Sequence, residues 1–138
     1  MKLLIDSSVF IAFFSDTDVF HKSSLTFFQK LSKDENIIIV LPVLVFLEVV
    51  NVLCKKMVKF EEERLLRAFN DYEKVDLLFD SAVAFFSLFK QVNLKTSDAI
   101  ILACAKIAGA TLVTWDEKFR KQAKKFVPAQ TPKGFLLK

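Results

Sequence analysis

Near its N-terminus the chain carries a short apolar run, Leu3-Leu4-Ile5, that stops at a carboxylate, Asp6, before two serines and a fresh apolar segment. A continuous apolar run of this length, bounded by turn residues, reads as a strand buried on both faces of a parallel sheet. Asp6 then falls where the strand stops and a helix starts, at the edge of an open α/β sheet where ligands bind. Asp6, Ser7 and Ser8 are also good helix caps, so this position alone leaves capping and chemistry both open.

The pattern recurs. Ile37–Leu41, Val75–Phe79 and Ala110–Thr114 are further short apolar runs, and helical stretches separate them. The expected helices begin with Ser7–Phe14, then one capped by Asp18 and running to about Lys33, with Phe20, Leu25, Phe28 and Leu31 near one face. Pro42 opens a third from Val43 to about Met57, and Phe60–Lys74 is a fourth, burying Leu65, Leu66 and Phe69. Asp80 or Ser81 caps one to about Val92, Thr96 or Ser97 caps one that Gly109 ends, and Glu117–Phe126 is the last. Pro128, Pro132 and Gly134 mark residues 126–138 as an irregular C-terminal tail. Such alternation predicts an α/β fold with a central, mostly parallel sheet and helices on both faces. The 138 residues suffice for one core and show no linker or repeat, so a single domain over 1–138 is expected.

Composition narrows the class. Hydrophobic residues make up 53%, mean hydropathy is +0.37, and there are 16 phenylalanines. That richness implies apolar surface meeting another chain. The doublets Phe13-Phe14, Phe27-Phe28 and Phe85-Phe86 exceed what one helical face buries, which predicts a homodimer. No apolar run is long enough to span a membrane, and an acid at position 6 is not expected in a signal peptide. Cys54 and Cys104 lie in apolar helical segments without metal spacing, as reduced core residues of a cytoplasmic protein would. A net charge of +4 and a pI near 9.1 are compatible with a polyanionic partner. His21 has no ligand-spaced partner and reads as a surface histidine.

Three more acids stand in places like that of Asp6. Glu48, Asn51 and Lys55 fall at i, i+3 and i+7 on a helix otherwise apolar. An acid there is costly unless it is paired, protonated or metal-bound; a Glu48–Lys55 pair or a solvated strip is the alternative. Asp98 sits in a first helical turn, where it could simply complement the dipole, and Asp116 follows the fourth strand. If the four meet, like charges cannot all stay ionised in an apolar setting, so one protonates or a cation enters. Oxygen-only donors without His or Cys suit Mg²⁺ or Mn²⁺, and such ions suit phosphodiester hydrolysis. Beside Asp116, the last helix carries Lys118, Arg120, Lys121 and Lys125, which are expected to track a phosphate backbone. A C-terminal dipole complement would account for Lys124 and Lys125 alone.

Leu4-Ile5-Asp6-Ser7-Ser8-Val9, Glu48-Val49-Val50-Asn51, Thr96-Ser97-Asp98-Ala99-Ile100-Ile101 and Thr114-Trp115-Asp116 resemble, in order and spacing, the four signature blocks of the PIN domain. The resemblance runs from Lys2 to about Phe126, and within the family it is strongest to the small VapC-type toxins. It implies a three-layer α/β/α sandwich and Mg²⁺- or Mn²⁺-dependent hydrolysis of single-stranded or structured RNA. It also implies a homodimer and a cognate antitoxin, for which a further apolar groove is expected. Residue by residue it makes Asp6, Glu48, Asp98 and Asp116 the acidic metal site. Ser8 and Thr114 become supporting hydroxyls, and Asn51 a polar neighbour of the glutamate. The alternatives are an RNA-processing nuclease of this fold without an antitoxin, or a non-catalytic RNA- or protein-binding module. A haloacid-dehalogenase-type phosphatase would need an acid where Ser8 stands. A response-regulator receiver would need paired acids after the first strand and a phosphoaccepting Asp after the third. No Ser–His or Cys–His pairing offers a covalent nucleophile.

Overall fold

The computed structural model describes residues 1–56 and 61–138. In chain order the elements are β1 (Lys2–Ile5), α1 (Ser7–Phe14), α2 (His21–Leu31), β2 (Ile38–Pro42), α3 (Val43–Lys56), α4 (Glu62–Phe69) and β3 (Glu73–Val75). There follow α5 (Phe79–Val83), α6 (Phe86–Phe89), α7 (Thr96–Ala108), β4 (Thr111–Val113), α8 (Glu117–Ala123), β5 (Ala129–Gln130) and α9 (Pro132–Leu136). The expected helix ends at Met57 and Phe60 fall outside the described residues.

The five strands form one parallel sheet in the order β3-β2-β1-β4-β5, the centre of a three-layer α/β/α sandwich. β1 is flanked on both sides, Leu4 pairing with Val40 of β2 and with Leu112 of β4. Leu3, Leu4 and Ile5 are accordingly fully buried, which is why this strand is apolar without alternation. The chain turns to one side of β1 for β2 and to the other for β4. The crevice beyond the carboxyl ends of β1 and β4 is thus the topological switch point of the sheet. Asp6 and Asp116 follow those two strands.

α7 packs on β1, β2 and β4. Its buried Ala99, Ala103 and Ala105 let it lie close, and Gly109 ends it at φ 63, the left-handed turn glycine adopts without strain. Asp98 in its first turn is thereby carried to the switch-point edge. On α3, buried Val45 and Val49 fix the helix on the core and set the direction of Glu48 between them.

Several local expectations are corrected. Pro42 closes β2, opposite Val75, rather than opening α3; at the last strand position its missing N–H costs little. The third strand is Glu73–Val75, not Val75–Phe79. As an edge strand paired only with β2 it carries exposed charge, with Glu73 bonded to Lys2 at 2.8 Å. The helix expected from Asp80 to Val92 is two short ones, entered at Leu78 without a side-chain cap. Lys95, not Thr96 or Ser97, stands at the N-cap of α7. α8 stops at Ala123, leaving Phe126 half-buried. The tail is ordered: β5 adds a strand, and Thr131 caps α9 by accepting the Gly134 amide at 3.0 Å, with Pro132 in the first turn.

Burial differs too. α2 turns Ser24, Phe27 and Leu31 inward, so Phe20 and Leu25 are partly exposed, and on α4 Leu66 is exposed. Cys54 is exposed, whereas Cys104 is buried as expected. His21 is half-buried, with Nδ1 2.9 Å from the Ala12 carbonyl. Among the described residues no helix is long and apolar enough to cross a membrane.

Candidate active site

Asp6 leaves β1 in extended conformation and caps nothing with its side chain. Its buried Oδ2 instead accepts hydrogen bonds from the hydroxyls of Ser8 and Thr114, each at 2.8 Å. Ser8 Oγ in turn accepts the Trp115 amide at 3.2 Å, and Thr114 Oγ1 accepts the Asp116 amide at 3.0 Å. Two hydroxyls therefore bind the loop after β1 to the loop after β4, with Asp6 as their common acceptor. Asp116 does cap, its Oδ1 accepting the Phe119 amide at 2.9 Å to start α8. Of the two, Asp116 is the one whose side chain caps its helix.

Glu48 settles the strip on α3 in two halves. Asn51 and Lys55 are exposed, but Glu48 Oε1 is buried with no hydrogen-bond partner. The alternative, a Glu48–Lys55 pair, is not formed; among the described residues the ion pairs are Lys2–Glu73, Lys95–Asp98 and Lys121–Glu117. Asp98 is buried, and Lys95 Nζ reaches its Oδ1 only at 4.0 Å from an exposed position.

The acids act on one another. Burial raises the Asp6 carboxyl above its ordinary value, although the hydroxyls of Ser8 and Thr114 pull it back. Glu48 is raised first by burial, then by the charges of Asp6 and Asp98, against the pull of Lys95. Burial, Asp6 and Asp116 lift Asp98 to about 6, against the pull of Lys95 and Lys118. As the side chains stand, no three acids among the described residues are close enough to share an ion. Their common field and the unpartnered Glu48 oxygen nonetheless fit a hard divalent cation taken by Asp6, Glu48 and Asp98, all oxygen donors.

The basic residues of α8 and of the turn after it stand in different surroundings. Lys118 lies within the field of Asp98, Lys121 is bonded to Glu117 at 2.7 Å, and Arg120 is half-buried. Lys124 and Lys125 line a cavity of about 860 Å³ beside Met1, Thr111 and Ala129, at the opposite edge of the sheet. Sequence reasoning also missed Ser24 and the side chain of Trp115. Ser24, fully buried, accepts the indole N–H at 2.8 Å, and the indole ring stacks on Phe20. The sole tryptophan, standing beside Asp116, was the available signal.

The family model described as PIN domain matches residues 3–125. No sequence match is found among curated proteins. Among solved structures, VapBC2 from Rickettsia felis, bound to a DNA fragment from their promoter, superimposes with a TM-score of 0.72 at 18% identity, over 95% of this chain and 98% of that one. A toxin–antitoxin complex from Klebsiella pneumoniae gives 0.68 at 24% identity, over 94% and 97%. VapC20 of Mycobacterium tuberculosis, a sarcin–ricin loop cleaving toxin, gives 0.67 at 15% identity, over 91% and 96%. With the four sequence blocks gathered around the switch point of a parallel sheet, and the match extending over nearly the whole length, the chain belongs to the PIN domain family.

Proposed function

We propose that the chain is a Mg²⁺- or Mn²⁺-dependent endoribonuclease that hydrolyses phosphodiester bonds of RNA in the cytoplasm, as the toxin of a toxin–antitoxin pair. The observation that carries this reading is the buried, unpartnered Oε1 of half-buried Glu48 in the field of Asp6 and Asp98. An acid so placed is costly without a cation. The toxin and toxin–antitoxin proteins among the structural neighbours support the biological role.

Asp6, Glu48 and Asp98 would hold the divalent ion, which would supply a lowered water pKa and offset charge on the phosphate and leaving oxygen. The chain's own residues prepare the site. Ser8 and Thr114 stabilise the ionised form of Asp6 against burial. Thr114 also holds the Asp116 amide, so the fourth acid and the start of α8 are set by the same hydroxyl. Lys118, exposed and close enough to act on Asp98, is placed to receive a phosphate. Asn51, exposed one turn beyond Glu48, offers an amide to ribose or base.

For partners, an apolar groove of about 650 Å³ between α1, α2 and α4, lined by Phe10, Phe14, Phe28, Phe69 and Tyr72, suits an antitoxin helix. Exposed Leu66, Leu78, Phe79, Val83 and Phe86 suit a second copy of the chain.

The deciding experiment is cleavage of single-stranded RNA by purified protein with Mg²⁺ or Mn²⁺. The wild type is expected to cut and Asp98→Asn, equally well folded, to be inert. Full activity in Asp98→Asn, or none in the wild type with either ion, would overturn the proposal.

A further inference from the structure

Phe20 and Trp115 form a flat aromatic pair, ring centroids 4.2 Å apart and planes within 7°. Each ring is held by the framework of the candidate site. Trp115 lies between Thr114 and Asp116, donates its amide to Ser8 Oγ and its indole N–H to buried Ser24. Phe20 is set by the loop between α1 and α2, where Asp18 Oδ1 accepts the Phe20 amide at 2.8 Å. The pair is thus tied through Ser8 to the hydroxyls that hold Asp6. Packing alone would hide it, yet Phe20 remains 38% exposed and its neighbour Val19 88% exposed, in a loop otherwise of polar residues.

We infer that the Phe20–Trp115 pair is a nucleobase-binding shelf, on which an unpaired base of the RNA stacks next to the scissile phosphate. The inference rests on the ribonuclease reading and adds a ligand class to a surface outside the acidic cluster. A base has a flat π-face, and aromatic side chains bind single strands by offering another, with little sequence choice. Because the two rings are already parallel, with the indole fixed by its bond to Ser24, adding a third layer orders no further side chain. Phosphate contacts from Lys118 would fix the strand, and the shelf would fix the base.

The only tryptophan of the chain reports on the shelf directly. The probe is short oligoadenylate, compared with an abasic strand of the same length, titrated in EDTA so that nothing is cut. Wild type is expected to bind oligoadenylate with quenching of Trp115 emission and to bind the abasic strand roughly tenfold more weakly. Phe20→Leu keeps apolar packing without a π-face and should lose about the same factor for oligoadenylate alone; Phe20→Tyr should restore it. In cleavage assays the Phe20→Leu loss should appear in KM while kcat is held. Equal binding of the two strands by the wild type, or unchanged oligoadenylate affinity in Phe20→Leu, would overturn the shelf. Metal-dependent cleavage persisting in that same protein would show that the ribonuclease reading had not failed with it. A cleavage-inactive wild type marks the opposite failure.

Discussion

The Thr114 hydroxyl lies 2.8 Å from Oδ2 of Asp6 and donates to it, although Thr114 is fully buried and Asp6 nearly so. The same oxygen accepts the Asp116 amide. Thr114→Val, similar in shape, would leave the Asp116 amide without a partner and Asp6 with one hydroxyl donor instead of two. A loss of about 1–3 kcal/mol in unfolding free energy is expected. Asp6, deprived of a donor, would also titrate higher, shifting the acid limb of any RNA cleavage to higher pH. Thr114→Ser should recover most of both. Denaturant melts and pH–rate profiles of the two variants check this.

Asp98→Asn should stabilise the metal-free protein at neutral pH while abolishing cleavage. It removes one charge from a repulsive group of buried acids. A gain on the order of 1 kcal/mol, roughly 3–5 °C in Tm, is expected by calorimetry in EDTA. A lower Tm in the variant would mean that the carboxylates do not repel.

Metal-free stability should fall as pH rises. Asp98 titrates at about 6 in the folded protein against an ordinary 3.8, so between those values the folded state holds a proton that the unfolded state has released. Stability is therefore greatest below that window and is lost as pH climbs through about 6. The raised carboxyls of Asp6 and Glu48 act in the same direction. Melts from about pH 5 to about pH 7.5 should slope downward in EDTA and flatten with saturating Mg²⁺.

The lysines of α8 and of the turn after it should separate in a salt titration. Lys118→Gln is expected to reduce the log–log salt slope of single-stranded RNA binding by ~0.7, one phosphate contact. Lys121→Gln should change it less, because Glu117 already neutralises that cation. Lys125→Gln, at the far edge of the sheet, should matter only for strands long enough to reach there. Identical slopes in all three would return these residues to a solvated face.

The exposed apolar segment should make a homodimer. Phe79, 84% exposed, and Phe86 lie on short helices whose own packing leaves them outside. Sedimentation is expected to show a dimer for the wild type and a monomer for Phe79→Glu/Phe86→Glu. A monomeric wild type at high micromolar concentration would remove the dimer from the proposal.

The parts legible in advance are those written in local pattern. β1 could be read because a strand buried on both sides must be apolar throughout, and α7 because Gly109 supplies its left-handed end. Asp6, Asp98 and Asp116 were visible as acids at element ends, and Glu48 as an acid inside an apolar helix. β3 was misplaced because an edge strand tolerates Glu73 and Lys74, while Leu77-Leu78-Phe79 is apolar for a surface rather than a core. β5 is two residues long between prolines, and only its pairing with β4 makes it a strand. The isolation of Glu48 and the stacking of Phe20 on Trp115 depend on contacts between distant segments, which no periodicity records.

The hydroxyl that holds Asp6 comes from 108 positions later in the chain. β1 likewise acquires β4 as its second neighbour only when Thr111–Val113 exists to pair with it. Contacts of such separation form late in folding, and synthesis proceeds from the N-terminus. While the chain is still attached to the ribosome, Asp6 has emerged but the donor and the fourth acid have not. A nuclease built on this plan has no assembled site while most of its length is being translated, and fragments released before Thr114 carry no cutting centre. Under the ribonuclease reading proposed above, the ribosome's own RNA would be the nearest substrate during that interval, and the topology would leave the site unassembled beside it.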